Sequence, residues 1–395
     1  MCKQQFYVLG MTDDQTCTFS PEVYALVRQG KVFSGGKRHH EIVASLLPED
    51  SVWIDITVPL DSVFEQYEEY DEIVVFASGD PLFFGFANTI RKRLPDADLK
   101  VYPTFNSLQL LAHRMLLPYQ DMRIVSLTGR PWHKLDEALI KGETLLGVLT
   151  DRQNTPSKIA ERMLEYGYDN YRITIGEHLG NKRKEVVQTM ALEDAAGKEF
   201  GFPNCLILER TYQRERLFGI PESSFYLLNG REKMITKSPI RLQTLSMLDL
   251  HQKHTFWDIG FCTGSVSIEA KLQFPHLQIH AFECRPEGET LINLNTRKFG
   301  TPGIEYHIGD FMELDLSDLP APDAVFIGGH GGKLTEMLQK IDRYLLPGGC
   351  IVFNSVSENS LHIFREGIEA IDRRIDNEIG ITVDSYNPIT IIKAI

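Results

Sequence analysis

Short apolar runs alternate with amphipathic stretches through the first 210 residues. FYVLG (6–10) is followed by SPEVYALVRQG (20–30), EIVVFASGD (72–80) by FFGFANTIRKRL (83–94), and LKVYPTF (99–105) by NSLQLLAHRML (106–116). The runs are rich in β-branched and aromatic residues and close on Gly, Pro or Asp, as strands do, while the longer stretches repeat apolar residues at helical spacing. Strand and helix in alternation predict βαβ units and a mostly parallel sheet. Further strands are expected at 123–129, 144–151, 171–180 and 204–210.

The rhythm breaks after Arg210. Residues 211–239 (TYQRERLFGIPESSFYLLNGREKMITKSP) are polar and only weakly periodic. A linker is therefore expected at 211–230, between a first domain at 1–210 and a second at 231–395. After a helix near Pro239 to Asp249, strands are predicted at 254–260, 278–284, 304–310, 323–329 and 349–355. Helices fall between them at 265–274, 288–300 and 332–345, and a hairpin is expected close to the C-terminus. That order describes a doubly wound sheet with an antiparallel edge.

A chain of 395 residues is too long for one ordinary core and suits two domains of roughly 150 to 200 residues each. With 43% hydrophobic and 24% charged residues it has the balance of a folded α/β protein. The N-terminus has no leader pattern and no apolar run approaches the ~18 residues that span a bilayer, so a cytoplasmic location without membrane attachment is expected. Six cysteines (Cys2, Cys17, Cys205, Cys262, Cys284, Cys350) form no CxxC pair, which predicts free thiols rather than disulfides or a zinc cluster. The net charge of −13 argues against nucleic-acid binding, which needs a surplus of Lys and Arg on one face. Basic clusters at 37–40, 130–134, 182–184 and 231–241 leave room for an anionic small molecule. A homo-oligomer is expected, and no metal site.

The sharpest motif is Trp257-Asp258-Ile259-Gly260-Phe261-Cys262-Thr263-Gly264, a hydrophobic strand ending in a turn that opens a helix. In a doubly wound sheet such a turn faces the ligand crevice. Gly264 allows close backbone approach, and the helix start that follows suits a carboxylate. Glu283 ends the next strand about 20 residues on, where it can accept hydrogen bonds from ribose hydroxyls. Asp310 and Phe311 end the third strand and suit an adenine, the acid near the exocyclic amine and the ring alongside. S-adenosylmethionine (SAM) and a nicotinamide dinucleotide both answer to these features. Ser265, however, stands where the third glycine of a dinucleotide fingerprint would serve helix–strand packing, which favours SAM.

Pro347-Gly348-Gly349 completes a pattern typical of class I methyltransferases. The runs Met234-Ile235-Thr236-Lys237, Asp258 to Ala270 and Asp323-Ala324-Val325-Phe326-Ile327-Gly328-Gly329 then narrow the likeness. Residues 230–395 resemble the decarboxylating precorrin methyltransferases of cobalamin synthesis, with Cys262 where that family usually has Gly.

The first half carries Val8-Leu9-Gly10, Gly35-Gly36-Lys37-Arg38-His39, Ser78-Gly79-Asp80-Pro81-Leu82-Phe83-Phe84-Gly85, Pro103 to Leu108 and Ser126-Leu127-Thr128-Gly129-Arg130-Pro131. Over 1–210 these resemble the tetrapyrrole methyltransferase family, within it the precorrin-6Y branch. The resemblance implies SAM folded into a cleft between two small α/β lobes, near Gly10, Gly79, Asp80, Phe83, Asn106, Ser107 and Thr128. Thr128 stands where His is common, and Asn106 where Ser is.

The resemblances imply an α/β protein throughout, with an N-terminal class III tetrapyrrole methyltransferase fold and a C-terminal Rossmann-like class I domain. SAM is the implied cofactor and a tetrapyrrole the implied partner. The implied reaction methylates precorrin-6B, or its cobalt form, at ring positions 5 and 15 and removes the C12 acetate carboxyl to give precorrin-8. In the second half, Thr236, Asp258, Gly260, Phe261, Cys262, Thr263, Gly264, Glu283, Asp310 and Phe311 are expected around the cofactor. His330, Lys333, Asn354 and Arg241 are the candidates for holding the acetate arm and managing its proton. Action on RNA or on another small molecule is the alternative reading.

Overall fold

Five consecutive residues, Ile73 to Ala77, are buried in β4 (Glu72–Ser78), as a parallel strand covered on both faces requires. β4 centres a five-stranded parallel sheet of order β3-β2-β4-β1-β5. Its other strands are β1 (Gln5–Met11), β2 (Val32–Gly35), β3 (Val52–Asp55) and β5 (Asp98–Tyr102). The structure is a computed structural model describing residues 3–14, 18–231, 233–384 and 387–395. A second sheet, order β6-β7-β10-β8-β9, joins β6 (Arg123–Ser126), β7 (Leu145–Leu149), β8 (Tyr171–Glu177), β9 (Val186–Ala191) and β10 (Asn204–Arg210). Only β6 and β7 run parallel there, so the expectation of a mostly parallel sheet holds for the first sheet and not the second. Runs as short as β2 and β3, and the exposed edge β9, carry too little periodic signal to stand out in the sequence.

Compact packing divides the chain into two units whose segments interleave. The first takes Met1–Arg130, Thr144–Glu161 and Tyr171–Thr211; the second takes Pro131–Glu143, Arg162–Asn170 and Tyr212–Ile395. Both sheets described so far lie in the first unit. Of residues 211–230, expected as a linker, all but Thr211 belong to the second. Ile220 and Phe225 are buried, and the Asn295 amide grips both backbone groups of Tyr226 at 2.8 and 3.1 Å.

The second unit is built on a seven-stranded sheet of order β13-β12-β11-β14-β15-β17-β16. The strands are β11 (Thr255–Ile259), β12 (Gln278–Glu283), β13 (Ile304–Ile308), β14 (Ala324–Ile327), β15 (Cys350–Ser355), β16 (Ile375–Ile381) and β17 (Ile389–Ala394). β11 to β15 are parallel, and the C-terminal hairpin inserts β17 antiparallel against β15. The winding reverses between β11 and β14, which opens a crevice at their carboxyl ends. Trp257 lies fully buried beneath it, edge-on to Phe282 with ring centres 5.4 Å apart. The helix Glu358–Ala370, capped at Ser357, follows β15 and is not among the helices that the sequence pattern predicts.

No helix among the described residues is long and apolar enough to cross a membrane. Cys205, Cys262, Cys284 and Cys350 are free thiols, while Cys2 and Cys17 lie outside the described residues. No group of three or more His, Cys, Asp or Glu among the described residues could hold a metal ion.

Candidate functional site

A cleft of about 800 Å³ opens at the carboxyl end of the second unit's sheet, within the range of small-molecule sites. Its lining includes Thr236, Gly260, Phe261, Cys262, Glu283, Asp310, Phe311, His330, Lys333 and Asn354. Ten expected site residues, from strand ends and loops far apart in sequence, thus share one cavity.

The turn after β11 works through its backbone. Gly260 has φ of +79°, and a β-carbon there would stand 2.7 Å from the Gly329 nitrogen, so only glycine lets the two loops meet. Gly264, at φ +76°, would drive a β-carbon into the Ile292 side chain. Cys262 also has positive φ, +52°. Its N–H donates to Glu283 Oε2 at 2.9 Å and its thiol to the Met234 carbonyl at 3.1 Å. Burial and the Glu283 charge push that thiol up to about 11. It is therefore a protonated packing group rather than a nucleophile. Glu283 Oε1 receives the Arg285 N–H and guanidinium, each at 3.0 Å.

Asp310 and Lys333 are paired at 2.7 Å, and the Met312 N–H donates to the other Asp310 oxygen at 2.9 Å. The lysine holds the carboxyl below its usual range and is itself raised by it. His330 Nδ1 accepts the Gly332 N–H at 3.2 Å, so the neutral ring carries its hydrogen on Nε2. Burial lowers its pKa below the ordinary histidine value. Asn354 Oδ1 accepts from the Thr244 hydroxyl at 3.1 Å, which fixes the amide at the cleft wall.

Four expected residues stand outside the lining. Arg241 is fully buried, donating to Glu269 at 2.9 Å, to the Thr236 carbonyl at 2.8 Å and to the Ile220 carbonyl. Its charge is spent on these acceptors, so it is not available to a substrate carboxylate. Asp258 lies under the turn and accepts from Ser267 N at 3.1 Å and Oγ at 2.5 Å through one oxygen, while the other has no partner. Burial pushes its pKa up to about 7. Its work is to tie β11 to the next helix. Thr263 is buried, with its carbonyl taken by Asn295 at 2.9 Å, and Gly264 serves the helix entry. Asp258, Thr263 and Gly264 look inward because they build the turn, and Arg241 because its helix packs it against Glu269.

Lys233, from the basic cluster at 231–241, also lines the cleft, as do Arg285, Val356 and the segment 387–389, which the sequence pattern does not single out. Arg285 could have been suspected two residues beyond Glu283, but 387–389 comes from the distant hairpin and carries no local signal.

In the first unit, Gly10 lines a cavity of about 300 Å³ with Thr12, Tyr102 and Thr104. Gly79, at φ +63°, lies against it: a β-carbon on Gly10 would strike the Gly79 carbonyl, and one on Gly79 would stand 2.8 Å from Asn106 Cα. Three backbones thus meet where β1, β4 and β5 end. Asp80 caps its own loop by accepting the Leu82 N–H at 2.9 Å, and Asn106 caps a helix by accepting the Gln109 N–H at 2.9 Å. Ser107 bonds the buried Cys205 thiol, and Thr128 donates to the Thr150 carbonyl at 3.1 Å. Phe83 packs edge-on against Phe84, 5.2 Å between ring centres. Asp80, Phe83, Asn106, Ser107 and Thr128 are not in the wall of this cavity.

SAM fits the second-unit cleft. Two carboxylates, Glu283 and Asp310, stand at successive strand ends with Phe311 beside them, and a β-carbon at Gly329 or Gly331 would find nothing within 4 Å, which leaves that wall open to a ligand.

The family model described as "Tetrapyrrole (Corrin/Porphyrin) Methylases" matches residues 5–196, and one described as "Precorrin methyltransferase domain" matches 228–376. A Sinorhizobium protein named precorrin-6Y C(5,15)-methyltransferase [decarboxylating] is 32% identical over 89% of this chain and 84% of its own. One of the same name from Mycobacterium tuberculosis is 25% identical over 89% of this chain and 87% of its own. A Salmonella typhimurium protein named cobalt-precorrin-6B C(15)-methyltransferase (decarboxylating) is 38% identical over 34% of this chain and 69% of its own. The chain is a SAM-dependent methyltransferase and belongs to the family of decarboxylating precorrin-6Y C(5,15)-methyltransferases.

Proposed function

We propose that this enzyme methylates a reduced tetrapyrrole, precorrin-6B or its cobalt form, at ring positions 5 and 15 and removes the carboxyl of the C12 acetate arm, giving precorrin-8. The observation that carries the reading is the presence, in order on one chain, of both family matches together with likeness to a full-length relative named for both methylations. We assign position 15 and the decarboxylation to the second unit and position 5 to the first. Likeness to a relative named for C(15) alone over only 135 residues supports such a division.

When bound, SAM supplies the electrophilic methyl group. The chain's own task is then largely positioning. Lys333 and Arg285 are paired with Asp310 and Glu283 but, unlike Arg241, stay partly exposed at the second cleft, so each keeps N–H groups that suit a carboxylate arm. His330, neutral with Nε2 carrying hydrogen, can hydrogen-bond the arm's carboxylate; as carbon dioxide leaves, the electron pair of the broken C–C bond passes into the conjugated macrocycle and the arm carbon then gains a proton. Asn354, held by Thr244, adds a fixed amide on the same wall. Free thiols fit a reducing cytoplasm, and the net negative charge fits a small-molecule substrate better than RNA. Homo-oligomeric assembly belongs to the same reading, and light scattering reads it.

The test is incubation of the full chain with SAM and the reduced precorrin, with and without cobalt, followed by product mass and carbon dioxide detection. Two methyl additions and one carboxyl loss are expected; addition without carboxyl loss, or no turnover of either form, would reject the assignment.

A further inference from the structure

Ser78 is the last residue of β4, directly before Gly79, and its side chain is exposed at the carboxyl end of the first sheet. Two groups from the helix Lys37–Val43, which follows β2, reach it. Arg38 donates a guanidinium N–H to Ser78 Oγ at 3.0 Å, and His39 Nε2 lies 2.9 Å from the same oxygen. The Gly36 N–H donates to His39 Nδ1 at 3.2 Å, and burial drives that imidazole down to about 4. The ring is therefore neutral with its hydrogen on Nε2, and it donates to Ser78.

A serine hydroxyl offers two lone pairs and one hydrogen. Both lone pairs of Ser78 are taken by N–H donors, so its own hydrogen is left for a third group, and none is recorded among the described residues. A hydroxyl that accepts from a cation is a stronger donor than an isolated one. Arg38 remains 37% exposed. Asp13 stands 3.6 Å from Arg38 Nε and 3.4 Å from His178 Nδ1, steadying the guanidinium.

We propose that Ser78, backed by Arg38 and His39, is a carboxylate-binding point of the first unit. A donor hydroxyl beside a half-exposed guanidinium suits a carboxylate oxygen. Two carboxylates could occupy it: a side-chain arm of the macrocycle, which rests on the function proposed above, or the amino-acid end of SAM. Ser78 is then a positioning group at the Gly79 loop, and the Gly-Gly-Lys-Arg-His segment exists to deliver two N–H donors to it.

Full-length wild type, Ser78→Ala, Ser78→Thr and Arg38→Gln are titrated separately with SAM and with a stable porphyrin polycarboxylate, its methyl ester serving as the carboxylate-free control. Ser78→Ala and Arg38→Gln should each weaken one ligand about tenfold or more, the loss of a charge-assisted hydrogen bond, and Ser78→Thr should restore it. Weakened porphyrin binding with no change for the ester names the macrocycle arm; weakened SAM binding names the cofactor. Unchanged affinity for both ligands in both variants overturns the proposal, as does loss in Ser78→Ala that Ser78→Thr fails to restore. Wild-type turnover of the precorrin tests the functional reading by itself, and these titrations decide the site whether or not turnover is seen.

Discussion

Arg241 and Glu269 are paired 2.9 Å apart with neither side chain exposed. Glu269 also accepts the N–H groups of Gly219 and Ile220, and Arg241 donates to the Ile220 carbonyl. The pair therefore clamps the segment after Thr211 onto the helix Ser265–Gln273. Removing one member of a buried pair leaves the other charged and bare, at a cost of about 3–5 kcal/mol. Arg241→Met should lower the melting temperature of the second unit on the order of 10 °C. Calorimetric melting checks it, and a variant as stable as wild type would return Arg241 to the list of functional candidates.

Asp258 gives the second unit a pH-dependent stability. Its folded pKa, about 7 against an ordinary 3.8, means that the native state binds the extra proton between those values. Stability should then fall as pH rises from about 4 to about 7 and level off above. Asp258→Asn, which can still accept from Ser267, should flatten that slope in melts compared at pH 5 and pH 8. An identical slope in variant and wild type would place the proton elsewhere.

Two cofactor sites per chain are expected, one on each glycine-built turn. Gly264→Val adds a side chain at φ +76° against Ile292, and Gly79→Ala adds one at φ +63° against the Asn106 backbone. Isothermal titration of SAM should read about two sites in the intact protein and one in each variant. One site in the wild type would mean that one half has lost the cofactor.

His330 should act as a neutral imidazole. Because Nδ1 accepts the Gly332 N–H and burial lowers the pKa, the charged form appears only below the ordinary value of 6.5. Carbon dioxide release should therefore hold steady from pH 7 upward and drop on the acidic side. His330→Ala should slow release roughly 100-fold, more than it slows methylation. A wild-type rate of release in His330→Ala would remove this residue from the chemistry.

Legible in the order of residues were the alternation of strand and helix, the break after Arg210, and the turns at Gly79 and Gly260 to Gly264. Each is local: an apolar run of strand length, a change in periodicity, a glycine where only positive φ or close approach will serve. That order also brought Glu283, Asp310 and Phe311 to the cleft, since strand ends of a doubly wound sheet share one edge. The direction each side chain faces came from packing. Arg241 and Asp258 read as ligand groups because charge near a crevice is the same letter whether it points out or in. Folding turned them inward, where Glu269 and Ser267 supply the partners that burial demands. Residues 211–230 read as a linker because sparse apolar residues give no period, yet Ile220 and Phe225 find a surface that only the folded second unit presents. Ser78 took its meaning the same way, from two donors some 40 residues earlier in the chain.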